Sequence, residues 1–189
     1  MPETRKPHVA VIGLGSMGFG MATSLKRAGL DVTGCDVSAD SVARFVADGG
    51  KGAKTPAEAA TDADIVVSVV VNAAQTEAIL FGQNGVAETL PKDAVFISSA
   101  TMDPDVARRL AKQLEATGRH YLDAPISGGA QRAAQGELTI LASGSAAAFA
   151  RARPSRWSTS CSPACISPPH RKRSPSPPAR VSTSARSTR

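Results

Sequence analysis

An α/β fold built on a doubly wound parallel sheet is predicted for residues 1–153 by three observations. Short apolar runs alternate with helix-patterned segments along the whole stretch. The strongest runs are continuous rather than alternating, as in strands buried on both faces. The first run ends at Gly13 and passes through a glycine-rich turn directly into a helical pattern.

The elements follow in order. Residues 8–12 (HVAVI) read as a buried strand. Residues 16–28 have helical spacing, with Gly29 as the stop. A second strand covers 31–36, and a helix capped by Ser38 or Asp40 covers 38–47. A short helix is predicted at 56–61 and the clearest buried strand at 65–71 (IVVSVVV). Helix 73–80, strand 94–98 and helix 104–117 come next, the last with Asp103 and Asp105 near its positive end. Strands at 120–122 and 138–142 complete the pattern. Right-handed crossovers would then bring the loops that begin near residues 13, 36, 72, 99 and 123 to the carboxyl edge of the sheet, where such folds bind ligands.

Charge divides the chain in two. Residues 1–150 hold 13 Lys and Arg against 16 Asp and Glu, a net charge of −3. Residues 151–189 hold nine basic residues and no acidic ones, with 10 Ser and 7 Pro. The overall +6 therefore describes neither part. No apolar run approaches the roughly 20 residues that cross a membrane, and the N-terminus has no signal-peptide core. The three cysteines have no metal-site spacing. These features give the expectations of a cytoplasmic location, no membrane partner and no metal.

The glycine turn reads Gly13-Leu14-Gly15-Ser16-Met17-Gly18, a G-x-G-x-x-G between strand and helix. Gly13 would permit the turn, Gly15 the approach of a pyrophosphate, and Gly18 close packing of helix on strand. The helix start offers free N–H groups and positive dipole to phosphates. This is the Rossmann dinucleotide pattern, with all six residues as candidate cofactor contacts. Asp36, at the end of the second strand, can accept hydrogen bonds from the adenosine ribose and would repel a 2′-phosphate, favouring NAD over NADP. Its alternative is a cap or turn residue. Arg44 reads as a solvated surface charge and Cys35 as a small core residue. Asn72 and Thr101 follow strands 65–71 and 94–98, where each could meet the nicotinamide half or serve as a turn residue.

Residues 11–25 (VIGLGSMGFGMATSL), 121–129 (YLDAPISGG) and 134–144 (AQGELTILASG) resemble the β-hydroxyacid dehydrogenase family, over about residues 8–153. Residues 71–76 (VNAAQT) look closest to its L-threonate dehydrogenase branch. The resemblance implies an NAD-dependent oxidoreductase acting on a small 3-hydroxy acid or sugar acid. It implies that Ser127, Gly128 and Gly129 bind the substrate carboxylate, a role a donor-rich Ser-Gly-Gly turn suits, although a plain glycine turn into a helix accounts for it equally. Asn72 and Thr101 match the family's cofactor-contact positions, and Asp123 reads as structural. The family further implies a homo-oligomer.

The resemblance also implies a helical second domain carrying a catalytic lysine in a glycine-rich context, and no such context exists here. Lys172 lies among His170, Arg171 and Arg173 with prolines close behind, which disfavours a helix, so no catalytic residue is assigned. Residues 154–189 are expected to be a disordered tail. Its composition suggests a shifted reading frame. Joining the last base of each codon to the first two of the next permits K-M-V-N-Q followed by an apolar helical pattern, although codon degeneracy allows other choices. That sequence resembles the family's lysine helix. The parent would then be truncated here to its cofactor domain and inactive. The alternative, a basic arm on nucleic acid, lacks interleaved aromatics, since Trp157 stands alone, and no specific nucleic-acid partner is expected.

Overall fold

The computed structural model describes residues 6–152. Its elements are β1 (His8–Ile12), α1 (Ser16–Arg27), β2 (Asp31–Cys35), α2 (Ala39–Ala47), β3 (Lys51–Ala53), α3 (Pro56–Ala60), β4 (Ile65–Ser68), α4 (Ala73–Phe81), α5 (Val86–Thr89), β5 (Val95–Ser98) and α6 (Pro104–Glu115). They continue through β6 (His120–Asp123), β7 (Ile126–Ser127), α7 (Gly129–Gln135), β8 (Thr139–Ile140), β9 (Ser143–Gly144) and α8 (Ala146–Arg151). The expected tail over 154–189 lies outside the described residues.

The main sheet runs β3-β2-β1-β4-β5-β6-β9, parallel except for β9, which pairs antiparallel with β6. The order reverses between β1 and β4, and it is outside the carboxyl ends of the strands at such a switch point that folds of this kind bind ligands. β7 and β8 form a separate two-stranded ribbon, so the strand expected at 138–142 is realised only as Thr139–Ile140 outside the main sheet, and the strand that joins β6 is β9, just beyond the expected range.

Both faces of the sheet are covered, as the apolar runs require. One face packs Ala10, Val66, Phe96 and Tyr121 against Leu80, Leu110 and Leu114 from the helices. The other packs Val9, Val11, Val32 and Val67 against Leu14, Ala22 and Phe45. Leu110 and Leu114 are fully buried one turn apart on α6, while Arg108, Lys112 and Glu115 stay outward. Ser38, not Asp40, caps α2, accepting from the Ser41 N–H. Among the described residues no helix is long and apolar enough to cross a membrane.

Candidate functional site

The glycine turn sits at the switch point, and its three glycines are required for three different reasons. Gly13 has φ +97°, and its N–H donates to the Cys35 carbonyl at 2.8 Å. A Cβ on Gly13 would lie 2.2 Å from the Val69 carbonyl oxygen, and one on Gly18 would lie 1.7 Å from the Gly13 carbonyl oxygen. Both are therefore fixed by the fold. Gly15 differs. Its backbone is extended (φ −65°, ψ −165°) and a Cβ there would meet nothing within 4 Å. Neither conformation nor any protein neighbour calls for glycine at that position. The open approach to its backbone fits a phosphate group, the role that the sequence pattern gives it.

Gly15 is also the N-cap of α1, with no side chain capping the helix and no acid in its first turn. The first N–H groups, at Ser16 and Met17, face the exposed turn without a protein acceptor of that kind. Leu14 behaves otherwise. Its side chain is fully buried and its N–H donates to Asp36 Oδ2 at 2.5 Å. Leu14 thus shapes the turn from within and offers no free N–H to a ligand.

Asp36 stands half-exposed just past β2. Its Oδ1 accepts from the Ser38 N–H at 2.8 Å, so the carboxylate ties the glycine turn to the start of α2. Each oxygen keeps further acceptor capacity for hydroxyl groups. Arg44 places its guanidinium 4.2 Å from the Phe19 ring centroid, a cation–π contact with α1 rather than a wholly solvated charge. Burial, aided by the charges of Asp36 and Glu58, pushes the Cys35 thiol up to about 11.

Asn72 caps α4. Its Oδ1 accepts from the Gln75 N–H, while Gln75 Oε1 accepts from the Val71 N–H, both at 2.9 Å. The turn-residue alternative therefore describes what Asn72 does in the fold, and its amide NH2 stays exposed at the carboxyl rim. Thr101 is exposed between β5 and α6, two residues before the cap Asp103. Neither residue touches the glycine turn or Asp36 through a hydrogen bond.

Ser127 ends β7, and Gly128 (φ +137°) and Gly129 (φ +77°) turn the chain into α7 with no side-chain cap. All three are exposed. α7 packs on α1: a Cβ on Gly20 would come within 2.7 Å of the Ala134 nitrogen, and the Arg27 guanidinium donates to the Ala134 carbonyl. The fold thereby holds the Ser-Gly-Gly turn on the helix that follows the phosphate turn. Sequence reading missed Val37 and Val71, whose side chains are almost wholly exposed in the loops after β2 and β4. Val37 stands alone between Asp36 and Ser38, which was an available signal, whereas Val71 was hidden at the end of the apolar run 65–71. Among the described residues no three His, Cys, Asp or Glu side chains gather as a metal site.

The family profile described as the NAD binding domain of 6-phosphogluconate dehydrogenase matches residues 8–159. L-threonate dehydrogenase of Cupriavidus necator is 48% identical over 145 residues, covering 77% of this chain and 49% of that protein. Mouse mitochondrial 3-hydroxyisobutyrate dehydrogenase is 36% identical over 148 residues, 78% of this chain and 44% of its own. A crystal structure described as 3-hydroxyisobutyrate dehydrogenase from Salmonella typhimurium superposes with a TM-score of 0.74 at 44% identity, covering 77% of this chain and 51% of that one. An imine reductase from Myxococcus stipitatus, solved in complex with NAD+, superposes with a TM-score of 0.71 at 26% identity, over 78% of this chain and 50% of its own. The chain spans about half the length of the curated relatives it matches.

Proposed function

The chain belongs to the family of the NAD-binding domain of 6-phosphogluconate dehydrogenase, and on that footing we propose that residues 1–153 are the cofactor domain of a dehydrogenase acting on a small 3-hydroxy acid or sugar acid. L-threonate and 3-hydroxyisobutyrate are the candidate substrates, after the relatives of those names. The observation that carries the reading is Gly15, whose open, uncrowded backbone at the start of α1 suits a close-approaching ligand.

Bound NAD would supply the hydride acceptor. Gly15, Ser16, Met17 and Gly18 would hold the pyrophosphate through backbone N–H groups and the α1 dipole, with Gly13 and Leu14 shaping the turn. Asp36 would accept from the ribose hydroxyls, and its charge would disfavour a 2′-phosphate, giving NAD over NADP. Val37, beside Asp36 and fully exposed, offers an apolar surface for the adenine. The Asn72 amide and Thr101 hydroxyl, in the loops after β4 and β5, would face the nicotinamide half. Ser127, Gly128 and Gly129 would hold the substrate carboxylate through one hydroxyl and backbone donors.

Among the described residues none is assigned to take the alcohol proton. A positioned general base contributes about 10²- to 10⁴-fold, so the chain is expected to bind NADH yet turn over poorly. Titration of NADH and NADPH by fluorescence tests the cofactor half of the reading. Equal or reversed affinities would remove the role given to Asp36. Turnover with NAD on both acids, compared with a chain carrying residues 155 onward in the shifted frame, tests the rest. Comparable rates would show that the proton acceptor lies in this chain. Failure of both on every small hydroxy acid would remove the substrate class.

A further inference from the structure

Four buried polar atoms gather at the carboxyl end of the sheet, and none has a hydrogen-bond partner among the described residues: Ser68 Oγ, Ser98 Oγ, the Tyr121 hydroxyl and Asp123 Oδ1. Ser68 is in register with Ser98, and Ser98 with Asp123, so their side chains form a row on one face of β4, β5 and β6. Tyr121, two residues before Asp123, shares that face, its ring stacked on Phe96. Ser68 and Ser98 have no exposed surface and Tyr121 only 2%. Burial raises the Tyr121 pKa; the Ser98 hydroxyl beside it pulls the other way and the Asp123 charge adds to the rise. These groups are thus close neighbours: Ser98 and Tyr121 approach as hydrogen-bonding partners without reaching full hydrogen-bond geometry, and Ser68 Oγ and Asp123 Oδ1 have no partner among the described residues.

Native folds leave few buried polar atoms unpaired, and each such atom is costly. Four on three adjacent strands make a site. Three are hydroxyls that both donate and accept, and the fourth is a carboxylate oxygen. Their shared complement is a small molecule with both functions. Beside them opens a cavity of about 370 Å³, lined by Tyr121, Asp123, Ser143 and Ser145 with Arg108 and Lys112 of α6.

We propose that this row is a buried hydration site, in which water reached from the α6 groove bridges Ser98, Tyr121 and Asp123 and extends to Ser68. A buried water takes two to four polar partners, the number offered here. Ser98 is tied to the same strand a second way, since its carbonyl accepts the Ala124 N–H at 2.7 Å. Hydration therefore fixes where β6 leaves the sheet toward Pro125 and the Ser127 turn.

The sign of a stability change tests this. The full chain is unfolded in denaturant as wild type, Ser68→Ala, Ser98→Ala, Tyr121→Phe and the Ser98/Tyr121 double variant. Bridged hydroxyls predict that each single change raises the unfolding equilibrium constant roughly fivefold, the worth of one net hydrogen bond, and that the double variant loses less stability than the two single changes together. Cross-relaxation between a long-lived water and the Tyr121 ring protons should be present in the wild type and lost in Ser98→Ala. Unchanged or raised stability in Ser98→Ala and Tyr121→Phe overturns the proposal, because removing a dry, unpaired hydroxyl relieves its desolvation. Lowered stability with no water signal and a silent Ser68→Ala also overturns it, in favour of a direct Ser98–Tyr121 bond.

Discussion

The Leu14 N–H donates to Asp36 Oδ2 at 2.5 Å, across 22 residues of sequence. The carboxylate that would recognise the ribose is thereby also a strut for the turn that would cradle the phosphates. The two duties separate by substitution. Asp36→Ala removes the acceptor for both Leu14 and Ser38 and is expected to cost on the order of 1–2 kcal/mol, about 2–4 °C of midpoint for each kcal/mol. Asp36→Asn keeps one acceptor oxygen and should unfold closer to wild type. Both should narrow the preference for NADH over NADPH. A preference retained in Asp36→Asn would assign discrimination to another residue.

Gly15 and Gly18 make a second contrast. Gly15→Ala adds a methyl that meets no protein atom in a conformation open to any residue. Thermal unfolding should be unchanged or slightly raised, while NADH affinity falls tenfold or more because the methyl occupies the phosphate's approach. Gly18→Ala sets a carbon 1.7 Å from a backbone oxygen. It should destabilise by about 1–3 kcal/mol or more and weaken binding only through that distortion. An NADH affinity unchanged in Gly15→Ala would take away the observation on which the cofactor reading rests.

The same contrast shows how far the residues alone could be read. Strands β1, β4 and β5 were legible because they are buried on both faces and their runs are almost continuously apolar. β3 was not: Lys51-Gly52-Ala53 carries no β-branched or aromatic residue and forms an edge through register with β2 alone. The apolar run 65–71 overshoots its strand, since sheet pairing stops at Ser68. Beyond it, the Val69 carbonyl abuts Gly13 and the Val71 N–H is taken by Gln75. The glycine turn was legible by spacing. The second duty of Asp36 was not, because it depends on a contact that only the folded sheet creates. Asn72 was read both as a ligand and as a turn residue, and local capping chemistry decided its structural role.

Two carboxylates should give opposite responses to pH. The Lys51 ammonium, 2.7 Å away, holds the Asp31 carboxyl below its ordinary value. Its contribution is present above that ordinary value and lost as pH falls through the depressed one. Both partners are well exposed, so Lys51→Ala should cost under about 1 kcal/mol at neutral pH, and the cost should vanish in acid. Burial holds the Asp123 carboxyl above its ordinary value. Its contribution is complete below the ordinary carboxylate range and lost as pH rises through the elevated value. Asp123→Asn should therefore raise the unfolding midpoint at pH 7 and leave it near wild type at pH 3. The reverse order would mean that Asp123 has a cationic partner in solution.

Cys35 gives the sharpest chemical expectation. Only the thiolate reacts with thiol reagents, and burial first, then the charges of Asp36 and Glu58, push this thiol up to about 11. At pH 8 that leaves roughly one molecule in a thousand ionised, and the side chain is 2% exposed. In the folded chain Cys35 should resist an alkylating reagent, as read by mass spectrometry of its peptide. Protection should disappear on unfolding. The raised pKa also links to stability: the contribution is complete below the unfolded thiol's value near 9 and declines as pH rises toward 11. Cys35→Ala should remove that alkaline decline while opening a small gap beside Ile12 and Ala53 in the core. Bound NADH should slow labelling of Cys35 further, since the cofactor would stabilise the turn whose Gly13 N–H is anchored on the Cys35 carbonyl. Rapid labelling of Cys35 in the folded chain, with or without NADH, would show that the second strand opens far more readily than its packing implies.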